Sequence, residues 1–429
     1  MASFQPTPAI FDIDPDLKVK EELVGIHSTG PFTPQDSSAR SYMASSHISQ
    51  SLTLNQGEDK IIQTGLEKQL GENTFSIKFP EDSRIVKVIP RYRGLSSNSI
   101  NKVVEYTIIL EDLEHNRLDI LNVPFFHSTH PYFGFKYDWK KDVIDTLSVG
   151  DIVNKGTILA DSPTKSNGKN WGNGVNANIA LISLPETTED GAVISESLAK
   201  KLSYTVFETR VIEFGNDNFP LNIYGDENNY KPFPDIGEFV NEDSVIMVLR
   251  DYEERLSPAL AGRYDVNEFN PLFDRAVYVR GPGEITKDGN IKGQVVDIKV
   301  YTNPKAKHDV YTGTTEGIDK YVNSLKMYYQ DILDVYRQKL DEYYSIHKNY
   351  NLPLSSELHN VIKEAYAVVN PDNRKLGYTF RSDPMDLYRV EIKIMYTVVP
   401  GIGNKLSDAH GYLGRRFQMC TIIKQIKHT

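Results

Sequence analysis

Val390, Ile392 and Ile394 alternate with Glu391 and Lys393. Successive side chains of a strand point to opposite faces, so this period of two predicts a strand with one face buried. Strand-like runs recur at Val103, Val104, Tyr106 and Ile108, and again at Val295, Val296, Ile298 and Val300. Helical periodicity concentrates in 316–368. There Ile318, Val322, Leu325, Tyr329, Ile332, Tyr336, Leu340 and Tyr343 recur at steps of three and four, giving one apolar stripe. A second helix is expected from Ser355 or Ser356 to a point before Pro371, because proline cannot continue it. A tyrosine-rich stripe at this spacing reads as packing rather than a cofactor box. The expected class is therefore mainly β with α insertions.

At 429 residues the chain has room for two to four domains. No run of about 18 apolar residues predicts a membrane span, and the start, MASFQPTPAIFDIDPD, lacks the basic and apolar regions of a signal peptide. One cysteine, Cys420, excludes an internal disulfide framework and a multi-cysteine zinc site within one chain. A cytosolic compartment is the default expectation. The formal net charge of −10 argues against binding duplex DNA with the whole surface, but leaves room for a locally basic groove.

Several strings carry chemistry-bearing residues. In 31–56, Pro34 and Asp36 can open a short helix. VGDIVNKGTILADSP at 149–163 joins a Gly-Asp turn, a Lys-Gly turn and a short apolar strand into a hairpin-like unit. In 174–202, Ile179–Leu184 reads as a buried strand, and Ala192–Leu202 as a helix start or a strand leading into one. The acidic pair Glu189-Asp190 lies between them. It either caps a helix N-terminus or helps hold Mg²⁺ from a tight loop. PGIGNKLSDAHG at 400–411 comes directly after the alternating strand; its glycines permit sharp turns, and Lys405 can neutralise a phosphate. The pair His127/His130 lacks further ligands at zinc spacing, and the Gly-x-Gly pairs at 281–283 and 401–403 lack a dinucleotide fingerprint.

Taken in order, these strings resemble the β subunit of multisubunit RNA polymerases. DSSARSYMASSHISQSL at 36–52 resembles the fork-region motif, keeping Asp36, Arg40, Met43 and Gln50 and departing at Ser46, His47 and Ser49. VGDIVNKGTILADSP with GVNANIAL resembles the start of the β-subunit double-psi barrel, and Glu189-Asp190 falls on the family's N-F-E-D pair, with Thr188 in place of the aromatic. PFPDIGEFVNEDSVIMVLRD looks like the flap base. GNKLSDAHG keeps Gly403, Lys405, His410 and Gly411 of the family's lysine–histidine loop. The resemblance implies a double-psi β-barrel carrying a flap-like insertion and a helical insertion. The implied divisions are a fork-like region at 1–60, a β-rich lobe at 61–140, barrel parts at 141–205 and 385–411, a flap-like domain at 206–312, a helical insertion at 313–384 and a divergent tail at 412–429.

The resemblance also implies a function: template-directed RNA synthesis by two-metal nucleotidyl transfer, in a complex and not by this chain alone. Arg40 would bind the incoming nucleotide, Glu189 and Asp190 would sit near the second Mg²⁺, Lys405 near phosphates at the RNA 3′ end, and Gln50, Lys405 and His410 along the transcript. The family's main metal motif, D-F-D-G-D, is absent from this sequence and belongs to a β′-like partner. Further implied partners are an N-terminal β fragment, a chain completing the β C-terminus, template DNA, RNA and nucleoside triphosphates. The expected setting is a split β as in giant bacteriophages, in the host cytoplasm or packaged in the virion. The alternative is a non-catalytic assembly or virion protein that keeps the fold. Leu413 stands where the family has a second active-site lysine, and RRFQMCTIIKQIKHT resembles nothing that the family has at that place. Either the split lies here and another chain finishes the barrel, or residues 412–429 are read-through into an intervening sequence; the second is favoured, and with it a tail that packs poorly.

Overall fold

The computed structural model describes residues 37–72, 74–92, 102–166, 170–180, 191–215, 218–226, 229–241, 243–251, 277–280, 293–302, 316–370, 388–407 and 419–426. A helix at Ser38–Ser49 comes first, then a short one at Leu66–Glu72. The first strands are β1 (Ile77–Lys78), β2 (Ser83–Arg91), β3 (Glu105–Asp112), β4 (Arg117–Pro124), β5 (Phe126–Ser128), β6 (Phe133–Lys136) and β7 (Asp138–Trp139). Next come β8 (Ile152–Val153), β9 (Ile158–Asp161), β10 (Lys165–Ser166), β11 (Asn170–Trp171), β12 (Gly191–Ser195) and β13 (Tyr204–Phe214). The last are β14 (Asn218–Pro220), β15 (Val245–Asp251), β16 (Val277–Arg280), β17 (Gln294–Thr302), β18 (Tyr388–Val398), β19 (Lys405–Ser407) and β20 (Met419–Ile426). The chain is mostly β with helices, as its periodicities predict.

The alternating segment is β18, the second strand of a five-stranded sheet ordered β17-β18-β13-β6-β5. Tyr388, Val390, Ile392 and Ile394 are buried on one face while the residues between them are not. That face joins Ile298, Val300, Ile212 and Phe214 in the largest core, under which Phe233, Ile236 and Met247 also pack. A four-stranded sheet ordered β4-β3-β2-β8 lies elsewhere in the chain's core. Here β3 shows an unbroken buried run, Thr107–Leu110, rather than an alternation. Both faces of this sheet are covered: Ile89, Ile109 and Ile120 meet the helices, and Ile85, Ile108 and Val123 meet Phe135 and Leu159.

The predicted apolar stripe forms a single helix, Glu316–His347, and it links the two cores. Ile318 and Val322 belong to the core of the five-stranded sheet, and Leu325, Tyr329 and Ile332 to the core of the four-stranded one. Leu340 and Tyr343 are half-buried, so the last turns run out from the body. The partner helix, Ser356–Val369, starts where expected because the Ser355 Oγ accepts a hydrogen bond from the Leu358 N–H at 3.1 Å. The two sheets are also tied by charge: the Arg91 guanidinium donates to Asp297 at 3.1 Å and pairs with Glu105 at 3.3 Å.

Three expectations need correction. The strands of VGDIVNKGTILADSP do not form a hairpin; β8 pairs with β2, whereas β9 pairs with β1 and β7. Both expected turns exist, with Gly150 and Gly156 at φ of 94° and 83°, but they send the strands into different sheets. Ile179 is exposed outside any strand, and Leu181–Leu184, the rest of that predicted segment, lies outside the described residues. The tail does pair: β20 is the middle strand of a three-stranded sheet ordered β12-β20-β19. A middle strand has its amides and carbonyls engaged on both sides, which an unrelated, poorly packed tail would not.

Candidate functional site

The sheet β12-β20-β19 gathers two of the strings singled out in the sequence. β12 runs parallel to β20 and β19 antiparallel to it, and at one level of the ladder Gly191, Thr421 and Lys405 stand side by side. Two strand spacings put the backbones of Gly191 and Lys405 about 10 Å apart. Lys405 is exposed, while the next residue, Leu406, packs beneath with Ile194, Leu198 and Ala199. Alternation along β19 therefore sends Lys405 to the face opposite that small core.

The approach to β19 is built for a tight reversal. Gly403 has φ of 92°, a conformation that glycine adopts without the Cβ penalty. The Asn404 side chain closes the loop by accepting from the Gly401 N–H at 2.7 Å, and the Asn404 N–H donates to the Gly401 carbonyl at 3.1 Å. Ile402 is left exposed at the loop's tip.

Glu189 and Asp190 themselves lie outside the described residues, as does His410. Gly191–Ser195 is a strand, and the helix after it, Glu196–Lys201, is capped by Ser195, whose Oγ accepts from the Leu198 N–H at 3.2 Å. A five-residue strand thus follows the pair before the helix begins, and Ser195 is that helix's cap.

Arg40 lies in the first turn of the helix Ser38–Ser49, and Gln50 directly succeeds that helix. Gln50 is exposed; its backbone N–H donates to the Ser46 carbonyl at 3.1 Å and its Nε2 to the Ser46 Oγ at 3.5 Å. Pro34 and Asp36, expected to open the helix, are outside the described residues.

Sequence reasoning missed the polar network that fixes this helix's exit. Asn173 accepts from the Leu54 N–H at 3.1 Å and donates to the Ser51 Oγ at 3.0 Å. The Asn176 N–H donates to Glu58 at 2.9 Å, and Glu58 pairs with Lys201 at 2.9 Å on the helix that packs under β12. The hydrogen bond from Lys201, with that of the Asn176 N–H, holds the Glu58 carboxyl below its ordinary range. Asn55 receives a bond from Thr205 at the start of β13. Strings far apart in sequence, at 50–61, 170–176 and 196–205, are thereby stitched together. The signal lay in NGVN at 173–176, whose two asparagines supply both donors and acceptors.

Lys60 extends this network. Its ammonium lies 5.1 Å from the Trp171 ring centroid and 3.9 Å from Glu67. Burial pulls its pKa down to about 8, with Glu67 opposing the shift.

The His127/His130 pair is part of an aromatic cluster. His127 packs at 5.1 Å from Phe75 and 5.3 Å from Phe135, and His130 accepts from the Tyr132 N–H at 3.4 Å. Among the described residues no group of three or more His, Cys, Asp or Glu could hold a metal ion, and no helix is long and apolar enough to cross a membrane.

No family model matches the chain. It is 24% identical over 306 residues to the DNA-directed RNA polymerase subunit β of Chlamydia felis, and equally to that of Chlamydia caviae. The corresponding subunit of Chlamydia pneumoniae is 22% identical over the same length. Each alignment covers 67% of this chain, and the chain spans 22% of the length of these relatives. Together with a mostly β fold, this similarity relates the chain to the β subunit of bacterial DNA-directed RNA polymerase.

Proposed function

We propose that the chain is a subunit of a DNA-directed RNA polymerase and contributes β-side residues to its active centre. The observation that carries this reading is the ladder Gly191–Thr421–Lys405, which gathers the lysine loop and the strand after Glu189-Asp190 onto one small sheet. Two strings more than 200 residues apart in sequence are brought together there by the β20 ladder and by Leu406, which packs with Ile194, Leu198 and Ala199. An active centre that faces both a polyphosphate and a metal ion needs a cation and carboxylates within about 10 Å of each other.

In this reading the sheets form a double-psi barrel with a flap-like insertion at 206–312 and a helical insertion at 313–384. Arg40 binds the incoming nucleotide. Lys405 faces phosphate at the RNA 3′ end, with Gln50 and His410 along the transcript. An exposed ammonium on a Gly-reversed loop suits this task, since it can reach a phosphate oxygen without the chain's own backbone in the way. Carboxylate oxygens are the hard donors that Mg²⁺ takes, and two adjacent ones fill only part of its octahedron. By the resemblance, and because D-F-D-G-D is absent here, the main ligands belong to a β′-like partner, and Glu189 and Asp190 act near the second ion, chiefly through water. When bound, Mg²⁺ supplies neutralisation of charge on the attacking and leaving oxygens. The setting we favour is a split β of the giant-bacteriophage kind, acting in the host cytoplasm with template DNA and further β fragments.

The test is Glu189→Gln with Asp190→Asn in the reconstituted assembly. The Mg²⁺ concentration for half-maximal primer extension should rise, with the melting temperature of the assembly unchanged. An unaltered Mg²⁺ requirement would remove the pair from the metal site.

A further inference from the structure

The edge hairpin of the five-stranded sheet carries a concentration of lysine and aromatic side chains that the polymerase reading does not use. β5 is the edge strand, and Phe126 stands opposite Lys136 across the hairpin. The Lys136 ammonium lies 4.7 Å from the Phe125 ring centroid, and the Lys102 ammonium lies 5.7 Å from the same ring. Lys393, on the solvent-side face of β18, lies 4.4 Å from the Phe126 centroid and 5.2 Å from that of Phe207. Its ammonium donates to the Ser128 Oγ at 2.8 Å. Gly237 leaves room for the Lys102 side chain, since a Cβ there would come within 2.7 Å of its ammonium.

Lys393 stands across the ladder from Asp297, a carboxylate that it shares with Arg91, while Lys102 and Lys136 have no such acidic neighbour among the described residues. Among the described residues none of Lys102, Lys136 and Lys393 forms an ion pair; the nearby Asp138 is taken by Lys140 at 2.7 Å, and Asp297 by Arg91. Burial, with Lys136 beside it, pulls the Lys102 pKa down; burial, with Lys393 beside it, does the same for His127. A chain of formal charge −10 thus keeps a positive patch at one sheet edge. Large rings border it: Phe75, 54% exposed and packed on His127, and Tyr132, 57% exposed in the hairpin turn.

We propose that this edge is a contact site for single-stranded nucleic acid, with Lys102, Lys136 and Lys393 taking backbone phosphates and the exposed rings taking bases. Lysines alone would suit any polyanion. The exposed rings beside them favour a strand of unpaired bases, which offers a π-face at each nucleotide. The site involves none of Arg40, Gln50, Glu189, Asp190, Lys405 or His410, so it stands or falls separately from the proposed active-centre roles.

The experiment uses the full chain and a fluorescein-labelled oligodeoxythymidylate of about 12 nucleotides, a length within the range of single-strand sites. Anisotropy is followed between about 50 and 200 mM salt, over which phosphate contacts weaken strongly. Wild type should bind with a Kd of about 1–100 µM at the lower salt. Lys102→Gln with Lys136→Gln should weaken binding about tenfold or more and flatten the log–log salt slope by about 1.4, or about 0.7 per lost phosphate. Phe75→Ala should weaken it at least about fivefold, the loss of one stacked base. Lys326→Gln, on the exposed side of the long helix, should change nothing. In wild type, an oligonucleotide carrying 4-thiothymidine should photocrosslink to Phe75, Phe126 or Tyr132, a readout independent of variant folding. Binding unaffected by both the lysine and the Phe75 variants would overturn the proposal, as would crosslinks confined to other elements. Displacement by polyglutamate as effective as by unlabelled oligonucleotide, with Phe75→Ala silent, would assign the patch to an acidic protein segment instead.

Discussion

Lys60 sits nearly out of solvent, with its side chain 9% exposed beside Glu67 and Trp171. Burial holds its pKa at about 8 in the fold, against an ordinary value of 10.5. Between those two values the unfolded chain binds more protons than the folded one, so this residue's contribution to stability rises with pH across that window. Below about pH 8 both states carry the proton, and the unfavourable burial of charge is felt in full. Lys60→Met should therefore stabilise the chain at about pH 7, and its advantage should shrink towards about pH 10. Melting temperatures of the two proteins across that range check this; a constant difference would mean that the ammonium is not desolvated. Nothing in the sequence flagged Lys60, because its environment is made by Trp171, more than 100 residues away. Ser355 is the opposite case. A serine placed three residues before Leu358, at the head of an apolar period, is a local signal, and the structure uses it as a cap.

At the scale of elements, what the sequence disclosed came from local period. β18 and the helix Glu316–His347 each bury the side their pattern predicts, because one cover per element suffices to produce a stripe. Pairing partners were not legible. The strands of 149–163 look like a hairpin since the turns are near, yet β8 and β9 part into different sheets through long-range ladders. The same blindness hid β20. MCTIIKQI matches no family string, but strand pairing is made by backbone and needs no motif. Hydrogen exchange tests this directly. Amides of Met419–Ile426 that bond to β12 and β19 should be protected to a degree comparable with β12. Exchange at the rate of an unstructured peptide would restore the expectation of an unpacked tail.

In the whole molecule, the residues of the proposed site were picked out by motif, but how their strands come together was not legible. Lys405 and the Gly-rich loop were identified from glycine spacing and resemblance. That β20 would seat Lys405 one strand away from the exit of Glu189-Asp190 depends on a residue pairing across more than 200 positions. The network of Asn55, Asn173, Asn176, Glu58 and Lys201 explains how the helix bearing Arg40 is anchored towards the same region. Because the main metal motif is absent from this sequence, the proposed function predicts that the isolated chain does not extend an RNA primer and that co-assembly with a large subunit carrying D-F-D-G-D allows extension. The central claim, that this chain lends a working cation to that catalyst, is tested by single-nucleotide primer extension in the reconstituted assembly with Lys405→Ala. The account predicts a maximal rate lowered by about 10- to 150-fold, the loss of about 1.5–3 kcal/mol of charge-assisted contact in the transition state. Nucleotide KM should move far less, and Lys405→Arg should restore the rate in part. Full activity of Lys405→Ala in an assembly of unchanged stability would contradict it.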